Sequence, residues 1–305
     1  MRINYRVKYL LGRQHARSIK NKMNIDISFS AIWQSWIHLI KVMFSGPQGL
    51  FWWPTLVVML AAAIWLASRK TTMQPQFNRE RFIRELPTDL LATLGYLVTQ
   101  AIVAPFLAPI MVGGAFLVFA TLWVPAPVVE GSGAAEMVVV ALLVYAFGDH
   151  NIYWTHRLFH RFGALWRLHR FHHNPQVLTP LTAFRFWPPE TLVHMLAFAL
   201  GEGLAIGLAS LVFGLGISPE KLLGVNIIAV AWMLAFSHLR HSHVPLAYPR
   251  WLSYVLISPA MHQVHHSVDS IHHDKNFGTA FALWDWLYGT LYMPKKGERI
   301  SFGLS

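Results

Sequence analysis

The chain has 305 residues, 54% of them hydrophobic and only 13% charged, with 17 histidines and no cysteine. Soluble domains carry about 25% charged residues, so this chain, with a mean hydropathy of +0.40, has a bilayer as the natural solvent for much of its length. The absence of cysteine excludes disulfides, thiolate metal sites, iron–sulfur clusters and cysteine nucleophiles.

Residues 1–22 hold seven Lys/Arg and no acid. No zinc-finger, RNA-recognition or helix-turn-helix pattern follows, so no nucleic-acid partner is expected. Beside an apolar chain this stretch reads as a retained basic arm facing lipid headgroups. Residues 30–44 read as a short amphipathic, interfacial helix, and the two together make an N-terminal region of 1–48. The next region, 49–134, is read as transmembrane. Its run 50–68 supplies the roughly 20 apolar residues that a hydrocarbon core of about 30 Å requires, and Arg69 and Lys70 stop it. Residues 89–125 begin at Asp89 and are too long for one simple span. Pro105, Pro109, Gly113 and Gly114 are expected to divide them into two spans or to kink one helix.

After a Gly/Pro/Ser-rich turn at 125–134, residues 135–149 run directly into the first histidines. Residues 190–215 and 221–237 read as a helical hairpin across Gly214–Pro219. Nothing alternates as a membrane barrel does, so the expected fold is all-α, an integral-membrane helical bundle. Arg240, Arg250, Lys275, Lys295, Lys296 and Arg299 favour a cytoplasmic end with a tail at 295–305. That places the histidine-bearing segments on the cytoplasmic face, although five Lys/Arg within 69–88 oppose this count if 50–68 spans.

Apart from His15 and His38, every histidine lies between His150 and His273, most of them in sets. His156 and His160 stand in HRLFH, and His169, His172 and His173 in HRFHH. His238, His241 and His243 stand in HLRHSH, and His262, His265 and His266 in HQVHH; His272 and His273 follow. Helical residues three and four apart share a face, so each HxxHH aims imidazoles at one place, and two such units suggest two half-sites meeting in a bundle. Between 150 and 273 the acids are only Glu190, Glu202, Glu220 and Asp269, so the carboxylate-rich ligation of magnesium or calcium is absent and iron, zinc, copper or nickel fit better. Eight to ten imidazoles exceed the needs of one ion, which implies two metals. Beside a bilayer, two nitrogen-rich metals suit oxygen activation by iron better than hydrolysis. A lone histidine such as His194 reads as a packing residue.

Through DHNIYWTHRLFHR, LWRLHRFHHNP, FRFWPPE, HLRHSHV, SPAMHQVHHS, DKNFG and LWDWLYGT, residues 135–294 resemble the fatty acid hydroxylase/sterol desaturase superfamily of membrane di-iron oxygenases. The resemblance implies that His156, His160, His169, His172, His173, His262, His265 and His266 bind two Fe ions. His238 and His241 occupy the region that supplies the remaining ligands. It further implies O2 as co-substrate, separate electron-donor proteins, and a lipid substrate (sterol, fatty acyl or related) that is hydroxylated or desaturated. The setting would be a bacterial inner membrane, or the endoplasmic reticulum in a eukaryote. The chain departs from the pattern at Trp187, where many relatives have histidine, and in the three histidines of HLRHSH, which leave His243, with His272 and His273, as alternative ligands.

Around the ligands, Asp149 lies about two turns before His156 on one helix and is expected to orient an imidazole. Arg185 and Glu190 are expected to form a buried ion pair, while His273, Asn276 and Asp285 are further supporting candidates. A histidine-rich metal transporter or sensor is the alternative, but it predicts ionisable groups along the middle of several spans. The sequence holds no haem domain, flavin fingerprint or GxGxxG unit.

Overall fold

A computed structural model describes residues 78–122, 134–213, 238–295 and 297–304. The expected span 50–68, the basic arm, the 30–44 helix and the second hairpin arm 221–237 lie outside the described residues. Among the described residues the fold is all-α, with two isolated bridges and no strand.

Helix α1 runs Arg79–Leu122, 44 residues, about 66 Å at 1.5 Å per residue. Asn78 caps it, its Oδ1 accepting from Arg81 N at 3.1 Å. Helical backbone continues through Pro105 and Pro109, so the expected division into two spans does not occur, and the helix begins ten residues before Asp89. Those ten residues carry Glu85, which with Asp89 anchors a distant segment. Arg185 Nε donates to Asp89 Oδ1 at 2.5 Å and its Nη2 to Glu85 Oε2 at 2.6 Å, while Thr179 Oγ1 donates to Asp89 Oδ2 at 2.6 Å. Arg185 and Asp89 are both fully buried. A buried charge is tolerated only when paired and hydrogen-bonded, and this trio supplies the pairing.

Helix α2, Ala134–Arg161, continues from the apolar stretch into the first histidines without a break. Phe162 adopts an extended conformation and Gly163 starts α3, Gly163–His173. Helix α4, Pro188–Phe213, packs on both α1 and α2. Their shared core is built from small and aliphatic residues: Met111, Ala115, Val140, Ala141, Val144, Ala199, Ala205, Ile206 and Ala209. Gly203 and Gly207 let α4 approach α1 closely, because a Cβ on Gly203 would collide with the Met111 carbonyl oxygen. Small residues at helix contacts are how membrane bundles gain packing without a hydrophobic driving force.

Arg79–Ala104 and Pro188–Val212 are long and apolar enough to cross a membrane. Leu91, Leu94, Val98 and Ile102 on α1 and Val139, Leu143 and Phe147 on α2 face outward, as lipid-facing side chains do. The remaining elements are short: α5, His238–Arg240; α6, Pro259–His265; α7, Leu283–Leu287; and three 3-10 turns.

Gly203→Ala is expected to lower stability by about 1–3 kcal/mol through overpacking, whereas Gly95→Ala, with open space around it, stays neutral or gains slightly. Thermal unfolding midpoints in one detergent would compare the two; equal midpoints would refute the close α1–α4 contact.

Candidate metal centre

Nine imidazoles converge in two adjoining groups. His156 and His160 from α2, His169 and His173 from α3, and His265 from α6 form one. His172, His241, His262 and His266 form the other, and in each group the ligand atoms lie within 4.8 Å of one another. The groups touch where His173 and His266 stack with centroids 4.4 Å apart. Each HxxHH unit straddles both. Helix α3 gives His169 and His173 to the first group and His172 to the second, while α6 and its C-cap give His262 and His266 to the second and His265 to the first. The expectation of one unit per half-site is corrected: i,i+4 pairs share a group, and the intervening histidine turns to the other.

The first group is oriented by hydrogen bonds. His156 Nδ1 lies 2.9 Å from the Phe277 carbonyl oxygen, His265 Nδ1 2.8 Å from the Lys275 carbonyl oxygen, and His169 Nδ1 2.5 Å from Glu190 Oε1. A carbonyl or carboxylate only accepts, so all three Nδ1 atoms carry hydrogen, and a neutral imidazole then has a bare lone pair at Nε2. Yet His156 Nε2 and His169 Nε2 stand 3.1 Å apart, and His173 Nε2 is also 3.1 Å from His169 Nε2. His160 Nε2 and His265 Nε2 are buried with no hydrogen-bond partner among the described residues. Lone pairs aimed at one another repel unless a cation lies among them, so the donor set fits a nitrogen-bound metal.

In the second group Nε2 atoms again face one another: His172 to His241 at 3.2 Å, His241 to His262 at 2.9 Å, and His262 to His266 at 3.3 Å. Here packing supplies orientation, with His172 stacked on Phe186 at 4.6 Å. Nδ1 of His172, His262 and His266 has no hydrogen-bond partner among the described residues.

Burial pushes His169, His172, His173, His262 and His266 well below the usual imidazole range, and neighbouring imidazoles push the same way. Burial takes His265 down to about 4. All six are therefore neutral at pH 7, as metal ligation requires.

The supporting residues do other work than expected. Glu190 holds His169 and lies 3.7 Å from His194 Nε2, so the expected Arg185–Glu190 pair does not form. Arg185 serves α1 instead, because Glu85 and Asp89 are nearer. Asp149 accepts from Ala280 N, Phe281 N and Trp284 Nε1 at 2.8, 3.1 and 3.0 Å, and among the described residues it bonds these groups in place of the expected imidazole. Asp285 accepts from Phe277 N, Gly278 N and Thr290 Oγ1, and burial still raises it to about 6. Asn276, at φ 56°, donates to the Met261 and Tyr292 carbonyl oxygens and accepts from Tyr292 N. These three side chains thus fix the 275–281 loop whose carbonyls orient His156 and His265. Sequence reading passes over those two carbonyls because backbone oxygens carry no residue identity; DKNFG is their only signal.

His273 is exposed and bonds the Val268 carbonyl oxygen, apart from both groups. His272 bonds Ser267 and Glu298, and His243 also lies outside the groups. The His238 side chain lies outside the described residues. Trp187 is exposed, its ring 4.9 Å from Phe171.

Residues 138–290, half of the chain, match the family model described as Fatty acid hydroxylase. The chain belongs to the fatty acid hydroxylase family. All nine grouped histidines and the 275–281 loop fall inside the matched segment. Among similar proteins, an ornithine lipid hydroxylase of Rhizobium tropici is 28% identical over 56% of this chain and 46% of its own length. An alkylglycerol monooxygenase of Xenopus tropicalis is 25% identical over 52% of this chain and 31% of its own, and the Homo sapiens lathosterol oxidase 26% over 54% and 49%. The chain thus spans about half or less of the length of these relatives. No solved structure matches.

Glu190→Gln is expected to weaken metal binding about 10–100-fold, the usual effect of removing a partner that orients a ligand, read by metal competition; unchanged affinity would refute the His169–Glu190 role. The metal-free protein should also lose stability as pH falls. Above the ordinary value of 6.5 His265 is neutral folded or unfolded and contributes nothing. Between 6.5 and about 4 only the unfolded chain takes the proton, costing about 1.4 kcal/mol per pH unit for each such group. Urea titrations across that window would show a flat stability if the cluster were loosely packed and solvated.

Proposed function

We propose that this chain is a di-iron oxidoreductase of the bilayer that hydroxylates or desaturates a lipid, using O2 and electrons delivered by separate proteins at the cytoplasmic face. One observation carries the reading: imidazoles in two adjoining, largely buried groups, with their Nε2 atoms facing one another. His156, His160, His169, His173 and His265 would hold one iron. His172, His241, His262 and His266 would hold the other, with His238, one turn before His241, as the tenth ligand. Bound there, iron supplies the reactivity the side chains lack, reductive activation of O2 for attack on an unactivated C–H bond.

The chain's own residues do the rest. The Phe277 and Lys275 carbonyls and Glu190 keep hydrogen on Nδ1 and so present Nε2 inward. Phe159, Phe186 and Phe277 pack against the imidazoles and exclude water, which protects an oxidant from being quenched before it meets substrate. The apolar outer faces of α1, α2 and α4 let a lipid approach sideways. The relatives' names, an ornithine lipid hydroxylase, an alkylglycerol monooxygenase and a sterol oxidase, share oxidation of a lipid and differ in the lipid. Residues 1–48, 49–134, 135–294 and 295–305 are proposed as basic arm, membrane region, catalytic region and tail.

Lipid mass spectrometry of cells with and without the gene is expected to show a gene-dependent gain of one oxygen or loss of two hydrogens. His173→Ala and His266→Ala should abolish that product. Metal analysis of protein from native membranes should give two Fe per chain; one zinc and no iron would overturn the reading.

A further inference from the structure

A run of aromatic rings leads from the histidine groups to the surface. Phe277 stands edge-on to His156, His160 and His265 with centroids 5.6, 5.1 and 5.5 Å away. Tyr153, fully buried, meets Phe277 at 6.1 Å. Beyond it Tyr153 stacks on Tyr288 at 5.3 Å and lies 5.7 Å from Trp154, and those two rings are 4.9 Å apart. Trp154 and Tyr288 are 37% and 38% exposed. Each step is a ring contact, short enough for single-electron transfer to outrun ordinary turnover.

Each phenol also has a hydrogen-bonded route to a base. The Tyr153 oxygen lies 2.9 Å from Thr290 Oγ1, and the Thr290 hydroxyl donates to Asp285 Oδ1 at 2.7 Å. With its hydrogen committed to Asp285, Thr290 accepts the Tyr153 O–H. Arg157 Nη1 donates to the Tyr153 oxygen at 3.1 Å. A guanidinium there opposes positive charge on the ring, so loss of an electron must be accompanied by loss of the phenolic proton. At the surface, Tyr288 Oη lies 2.9 Å from His150 Nε2, which accepts from Trp154 Nε1 at 3.2 Å and so accepts from Tyr288 as well.

We propose that Tyr153, Tyr288 and Trp154 form a one-electron relay that discharges the histidine centre to the surface when oxygen has been activated and no substrate C–H bond is in place. The inference rests on the oxygenase reading. With metal bound and oxidised at the centre, Tyr153 would give one electron across Phe277, and its proton would move through Thr290 to the Asp285 carboxylate. Tyr288 then gives an electron to Tyr153 and its proton to His150 Nε2, while Asp285 returns the proton of Tyr153 through Thr290. A soluble thiol or ascorbate-type reductant restores the electron of Tyr288, and His150 returns the proton. Trp154, touching both tyrosines, is a second exit. Phe277 is never oxidised and serves only as the bridge.

The test uses the full iron-loaded chain in detergent, exposed to hydrogen peroxide without lipid and followed by freeze-quench electron paramagnetic resonance and peptide mass spectrometry. The expected result is a tyrosyl signal and oxygen added to Tyr288 and Trp154. In Tyr153→Phe that signal should be lost, and oxidation of the 156–173 and 262–266 peptides should rise several-fold while the initial rate of lipid oxidation is retained. Thr290→Val, which keeps the rings and removes the proton route, should slow radical formation several-fold. Metal-free chain should show none of these changes. An unchanged signal and peptide pattern in Tyr153→Phe, with lipid product still formed, would overturn the relay alone. A chain that binds no iron and oxidises no lipid would overturn the oxygenase reading and the relay with it.

Discussion

The interaction on which this structure depends is the mutual repulsion of imidazole lone pairs. Three histidines of the first group have their Nδ1 hydrogens committed outward, to two carbonyls and one carboxylate. Their remaining nitrogens must therefore face inward bare, and no rearrangement of protons among them relieves the contact between His156 and His169. Buried polar atoms are almost always paired, so a cluster that forbids internal pairing is built around something positive. A cation would relieve the repulsion at every nitrogen at once, so metal binding would add to the stability of this region.

The crossing of the two HxxHH units gives that event its geometry. Had each unit served one group, the two groups would have been independent and free to shift with their helices. Because His172 leaves α3 for the second group and His265 leaves α6 for the first, each group is closed by both helices. A change in the distance between α3 and α6 disturbs both groups together. The separation of the two groups is then held by backbone helices, with flexible side chains playing little part.

Much of this convergence is legible in the sequence, because helical periodicity converts a spacing of four directly into a shared group, while the histidine at a spacing of three turns to the neighbouring one. Composition likewise exposes the membrane setting, since the outward Leu91, Leu94, Val98 and Ile102 have no other comfortable solvent. What escapes are relations with no local signature. Arg185 finds its carboxylate 96 residues away on α1, whereas Glu190, five positions along the chain, is turned toward His169. Pro105 and Pro109 suggest a break, yet α1 stays helical there and packs on α4 just beyond them, at Met111 and Ala115. Trp187 departs from the family pattern without disturbing either group, because its ring lies outside both, against Phe171.

Scarcity of acids has a consequence beyond ligand type. A carboxylate among the grouped imidazoles would neutralise a bound metal's charge and compete with imidazole for it. Here Glu190, Asp149 and Asp285 stand one layer out, where each performs a positioning task that a neutral group would do less firmly. Glu190 fixes one imidazole directly, while Asp149 and Asp285 clasp the backbone of the 275–281 loop, which in turn fixes two more. Both clasps use a carboxylate on a helix, α2 or α7, to gather backbone N–H groups of the loop. Charge-assisted hydrogen bonds of this kind are about twice as strong as neutral ones. The loop is therefore tied to the helix that carries His156 and His160. Its carbonyls keep station with the rings they orient, and Thr290 joins the same carboxylate, Asp285, to the phenol of Tyr153. Rigidity around the histidine groups and the proposed route for protons away from them thus rest on the same few acids.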